Sequence, residues 1–76
     1  MTFKEFKEII EKTGEYQVSE EVIGGKVVYR GKDMMCSISD MRTYKMDTLY
    51  QGNEDFLEEY GEVIFEFAKT SIEDRY

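Results

Sequence analysis

The sequence predicts a small α+β domain in two layers, with a helix, a three- or four-stranded antiparallel sheet and a second helix, as one domain over residues 1–76. Three observations predict it. Apolar residues recur at helical spacing at both ends of the chain, they alternate with polar residues in the middle, and Gly-containing clusters mark each change of period. Apolar residues make up 41% and aromatics 14% of the chain, enough for a globular core. A chain this short buries only about 60% of its unfolded surface, so stability is modest, and the spare aromatic surface suits a homodimer or a partner interface.

Thr2, Phe3, Lys4 and Glu5 read as a capping box, in which the Thr2 hydroxyl and the Glu5 carboxylate satisfy backbone donors that lack an intrahelical partner. The first helix therefore starts at Phe3, with Phe3, Phe6, Ile9 and Ile10 as its apolar stripe and Gly14 as its left-handed stop. From Glu15 the period changes, and Tyr16, Val18 and Val22 alternate with polar neighbours. Gly24 and Gly25 between the pairs Val22, Ile23 and Val27, Val28 signal a hairpin. Gly31, Lys32 and Asp33 form a second turn, residues 34–39 a third strand and residues 40–43 a further turn. Residues 44–46 then form a short fourth strand or extend the third. Gln51, Gly52 and Asn53 mark a boundary, with Asn53 as N-cap of a second helix running from Glu54 to Lys69 or Ser71. The predicted core is Phe3, Phe6, Ile10, Tyr16, Val18, Val27, Phe56, Tyr60, Val63, Ile64 and Phe67.

The second helix carries the most informative pattern. At about 100° per residue from Glu54, Asp55, Glu58, Glu59, Glu62 and Glu66 fall at roughly 100, 40, 140, 80 and 120°, and Phe65 at roughly 20°. Phe56, Leu57, Tyr60, Val63, Ile64, Phe67 and Ala68 occupy the opposite arc. The apolar face is complete without Phe65, so an aromatic among carboxylates reads as an interface anchor. Six acids over roughly 18 Å of helix, at 1.5 Å per residue, approach the spacing of phosphates along a nucleic-acid strand. Glu54, Asp55, Glu58, Glu59, Glu62, Phe65 and Glu66 are therefore the candidate partner-binding residues, and the expected partner is a basic groove on the surface of another protein. The alternative is a self-associating structural or assembly protein.

Charge supports this placement. The net charge is −7; residues 1–23 carry −3, residues 24–50 carry +2 and residues 51–76 carry −6. Such a chain repels nucleic acid and anionic membranes at long range, so direct binding to either is not expected. Lys26, Arg30, Lys32, Arg42 and Lys45, with Tyr29 and Tyr44, read as outward cations that guard strand edges and pair with the acidic helices. The methionines Met34, Met35, Met41 and Met46 read as adaptable core filling.

The absence of histidine removes the commonest general base and leaves Cys36 without an imidazole to activate it, so no enzyme is predicted. No Asp-rich loop with a central Gly suggests a hard-cation site, and neither metal nor cofactor is expected. A single cysteine between methionines reads as a buried apolar residue in a reducing compartment. With no basic-then-apolar leader and no membrane-length apolar run, the expected location is the cytoplasm of the cell that makes the chain.

Tyr44, Lys45, Met46, Asp47 and Thr48, followed by an acidic helix ending Phe67, Ala68, Lys69, Thr70, Ser71, Ile72, Glu73, Asp74, Arg75, resemble small acidic proteins of Gram-positive phages and prophages. The resemblance covers residues 44–76. In that pattern proline and glutamate are commoner where this chain has Ser71 and Asp74. The resemblance brings no established site residues. It implies a setting in which small inhibitors of host defence, anti-CRISPR proteins among them, block nuclease grooves with carboxylate-lined surfaces. The order helix, three strands, helix is also that of double-stranded-RNA-binding domains, which place lysines where this chain has Glu54 and Asp55.

Overall fold

A computed structural model describes residues 1–20 and 23–76. The described elements run α1 (Phe3–Glu11), β1 (Gln17–Ser19), β2 (Gly25–Arg30), β3 (Asp33–Ser39), β4 (Met46–Asp47), α2 (Glu54–Lys69) and a 3-10 turn (Ile72–Arg75). The four strands form an antiparallel meander in chain order. The expected α+β architecture is thus present, with residues 46 and 47 as a separate fourth strand.

Both predicted helix starts are in place. At α1 the Thr2 hydroxyl accepts from the Glu5 amide (3.2 Å) and the Glu5 carboxylate accepts from the Thr2 amide (2.9 Å), completing the capping box. Gly14, at φ 79°, turns the chain out of the helix toward β1. Of the first hairpin's predicted residues, Val22 lies outside the described residues, while Ile23 is fully exposed at the turn. The second hairpin closes tightly, Arg30 opposite Asp33, because Gly31 at φ 62° supplies the left-handed residue that a two-residue turn requires.

Both helices cover one face of the sheet. Phe6, Ile10, Tyr16, Val18, Val28, Met35, Cys36, Ile38, Phe56, Tyr60, Ile64, Phe67 and Ala68 form one buried cluster, with Phe3, Leu57 and Val63 partly buried against it. Phe6 stacks on Phe67 (centroids 4.5 Å) and Tyr16 packs on Phe56 (4.9 Å), joining the helices and β1 across the layer. Val27 is buried as expected, but it lies outside this cluster, because Lys26 and Val28 on either side of it point toward the helices.

Two adjacent residues of β3, Met35 and Cys36, are both fully buried, which strict alternation forbids. A β-bulge explains it. Val28 pairs with Cys36 and Tyr29 with Met34, so Met35 is the extra residue and the strand rotates both side chains into the core. The Met35 carbonyl accepts instead from the side-chain amide of buried Asn53 (2.8 Å), which also donates to Thr48 O (3.0 Å). Asn53 does precede α2, but its side chain makes no capping bond; the bulge takes it.

Among the described residues three polar side chains, Lys26, Asn53 and Arg75, are buried against expectation for their types. Lys26, read as an outward cation, points to the helical layer, where Nζ sits 5.0 Å from the Phe3 ring centre and 2.9 Å from Asp40 Oδ2. Burial, the largest single influence, lowers its pKa, but the hydrogen bond and charge of Asp40, with the charges of Tyr76 and Glu20, together outweigh it and the net shift is upward. Arg75 ties the C-terminal turn across the end of the sheet. Among the described residues, no helix is long and apolar enough to cross a membrane.

Candidate protein-binding face

Phe56, Tyr60, Ile64, Phe67 and Ala68 anchor α2 in the core, which aims its opposite arc outward. Glu54, Asp55, Glu58, Glu59, Glu62 and Glu66 are all exposed, and Phe65 is 45% exposed among them. The helix thus brings all seven candidate residues onto one outer face.

Those carboxylates are unequal. Asp55 accepts from Arg30 Nη1 at 2.7 Å, and Arg30 also donates to Gly52 O (2.9 Å) and to the Tyr16 hydroxyl (3.4 Å). The guanidinium holds the Asp55 carboxyl below its usual range. Glu66 pairs with Lys69 one turn on, at 2.9 Å, which raises the pKa of Lys69. Glu59 lies beside the Tyr60 hydroxyl and, after burial itself, helps to raise the pKa of Tyr60. Among the described residues, Glu54, Glu58 and Glu62 have no ion pair. They recur every fourth position, so they stand in a line, each repelling the next by about 0.2–0.5 kcal/mol. A cation bound there relieves that repulsion.

Phe65 closes this line beside an aromatic that sequence reasoning missed. Tyr44 is 65% exposed, its ring 6.1 Å from that of Phe65 at 54°. It adopts φ 64°, the left-handed region that costs a non-glycine residue about 1 kcal/mol. Its amide holds it there by donating to Ala68 O at 2.7 Å, one of the terminal α2 carbonyls. A tyrosine in a polar turn gave no signal of this, since the partner carbonyl is far along the chain.

No family model, curated protein or solved structure matches this chain. What the face can do follows from its chemistry. It can hold cationic side chains along Glu54, Glu58 and Glu62 and pack apolar or guanidinium surface against the Phe65 and Tyr44 rings.

Elsewhere, Cys36 is buried and its thiol is pushed up to about 12 by that burial, so it carries little thiolate. Of the methionines read as core, Met35 is buried, whereas Met41 and Met46 are exposed and line a groove of about 480 Å³ on the sheet face away from the helices. Met41 lies in the connection between β3 and β4, and Met46 on the two-residue edge strand β4, where neither is covered by the helices.

Proposed function

We propose that this chain is a non-catalytic binding protein that presents the acidic face of α2 to a basic groove on a host protein, as a phage-type inhibitor imitating nucleic acid does. One observation carries it. Among the described residues Glu54, Glu58 and Glu62 are exposed and paired with no cation, in a line that ends on the exposed Phe65 and Tyr44 rings. Like charges kept in register on a rigid helix, with an aromatic at one end, suit a partner with cations and an apolar contact. The resemblance of residues 44–76 to phage and prophage proteins supplies the inhibitor setting.

Long-range attraction speeds such association and is screened by salt. The test captures partners from bacterial lysate on the immobilised chain, then measures affinity for the captured protein at several salt concentrations with and without duplex DNA as competitor. The expected result is a basic protein that DNA competes away, and a marked loss of affinity and of salt dependence on Glu58→Lys with Glu62→Lys. Unchanged affinity and salt slope in that double variant would sink the acidic-face mechanism.

A further inference from the structure

We infer that the groove on the open face of the sheet receives the α2 face of a second copy of this chain, with Phe65 as the inserted side chain. Ile23, Val27 and Met41 make the groove apolar, and Arg42 and Lys45 line it as cations. Met41 is 76% exposed and Ile23 fully so, an unusual outlay of apolar surface for so small a chain. Among the described residues no carboxylate pairs with Arg42 or Lys45, although the chain has 17 acids to 10 basic residues. Among the described residues the one acid in the lining, Asp47, already accepts from the Leu49 amide (2.9 Å).

The matching occupant is an apolar side chain flanked by carboxylates. A nucleic acid fits poorly, because its phosphates would meet two cations on an apolar floor within a chain of net charge −7. Groove-to-groove pairing fits no better, since it would oppose Arg42 and Lys45 with their own copies. The complementary surface is present on this same chain, where Phe65 stands among Glu58, Glu62 and Glu66. The contact is therefore heterologous, groove to helix, and leaves a free groove and a free helix face for the next copy. Repulsion between two acidic copies is screened beyond about 8 Å at physiological ionic strength, so contact complementarity decides, and the flexible Met41 adapts to an aromatic ring. The interface hides the same acidic face, so self-association competes with the basic partner; only that competition rests on the function proposed above.

Sedimentation velocity on the intact chain over rising concentration tests this, with a groove variant (Met41→Glu with Lys45→Glu) and a face variant (Phe65→Ser with Glu62→Lys). All four positions are exposed, so folding is retained and circular dichroism checks it. The wild type is expected to sediment faster as concentration rises, each variant alone to stay monomeric, and their equimolar mixture to form a dimer that grows no further. A wild type that stays monomeric, a variant that associates like wild type, or a mixture that stays monomeric or passes beyond a dimer overturns the inference. A basic partner that binds the groove variant and not the face variant upholds the proposed function independently of these results.

Discussion

Replacing Arg75 probes how the C-terminal turn is held. The side chain is 1% exposed, with Nε donating to Thr70 O (3.0 Å), Nη1 to Ser39 O (2.6 Å) and Nη2 to Ala68 O (2.9 Å). The guanidinium also lies 4.8 Å from the Phe67 ring centre, and among the described residues no carboxylate forms an ion pair with it. Burial accordingly lowers its pKa, though an arginine stays charged. In Arg75→Ala the three hydrogen bonds and the attraction of the Asp40 charge are lost, but so is the cost of burying a cation that has no ion pair, several kcal/mol in the opposite sense. The stranded carbonyls are partly rescued. Ala68 O keeps the Tyr44 amide at 2.7 Å, and Ser39 O and Thr70 O belong to half-buried residues, which eases their hydration in the truncated protein. These terms largely offset, leaving the lost packing over Phe67, about 3 kcal/mol by analogy with long apolar side chains cut to Ala. At about 4–8 °C per kcal/mol for a domain this small, Tm falls by about 12–24 °C. Urea unfolding followed by circular dichroism reads the change as a lower midpoint at constant slope. Arg75→Met, which keeps the stem over Phe67, should recover more than half of the loss. An Arg75→Ala effect under about 0.5 kcal/mol, the range of ordinary surface changes, would refute the docking of this turn.

Asn53→Ala should cost about 1–3 kcal/mol in the same assay, the penalty for leaving a buried acceptor unpaired, since the Met35 carbonyl at the bulge loses its donor. Gly61→Ala should raise stability by about 1 kcal/mol, because this helix-interior glycine has nothing within 4 Å of an added Cβ and no positive φ. Acid unfolding should show the capping box and the Arg30 pair. Glu5, held low by its bonds to Thr2, and Asp55, held low by Arg30, contribute stability that is complete above the ordinary carboxylate range and lost as pH falls through their lowered values. Glu5→Gln with Asp55→Asn should therefore flatten the acid limb of stability against pH and leave its alkaline limb alone. A thiol-reactive chromogenic disulfide at pH 8 should label Cys36 only at the rate of unfolding, with full labelling in urea.

The local features were legible because their causes are local. Thr2 and Glu5 lie one turn apart, Gly14 and Gly31 supply φ values few other residues reach, and the second helix separates apolar from acidic arcs by its own period. The sequence by itself therefore determined two helices, an antiparallel meander and a one-sided acidic helix. Tertiary structure decided the rest. Whether Asn53 caps a helix or feeds a bulge depends on Met35 arriving beside it, 18 positions away. Arg75 is buried because Ser39, 36 positions earlier, presents a carbonyl to it, and Lys26 turns inward because Asp40 and Phe3 meet it there. Tyr44 joins Phe65 only through the end of α2, and Met41 and Met46 stay outside because they lie in the β3–β4 connection and on the short edge strand, beyond the cover of the helices. Period and turn chemistry act over one or two turns of chain, whereas a buried polar group is placed by partners that only the folded chain brings within bonding distance.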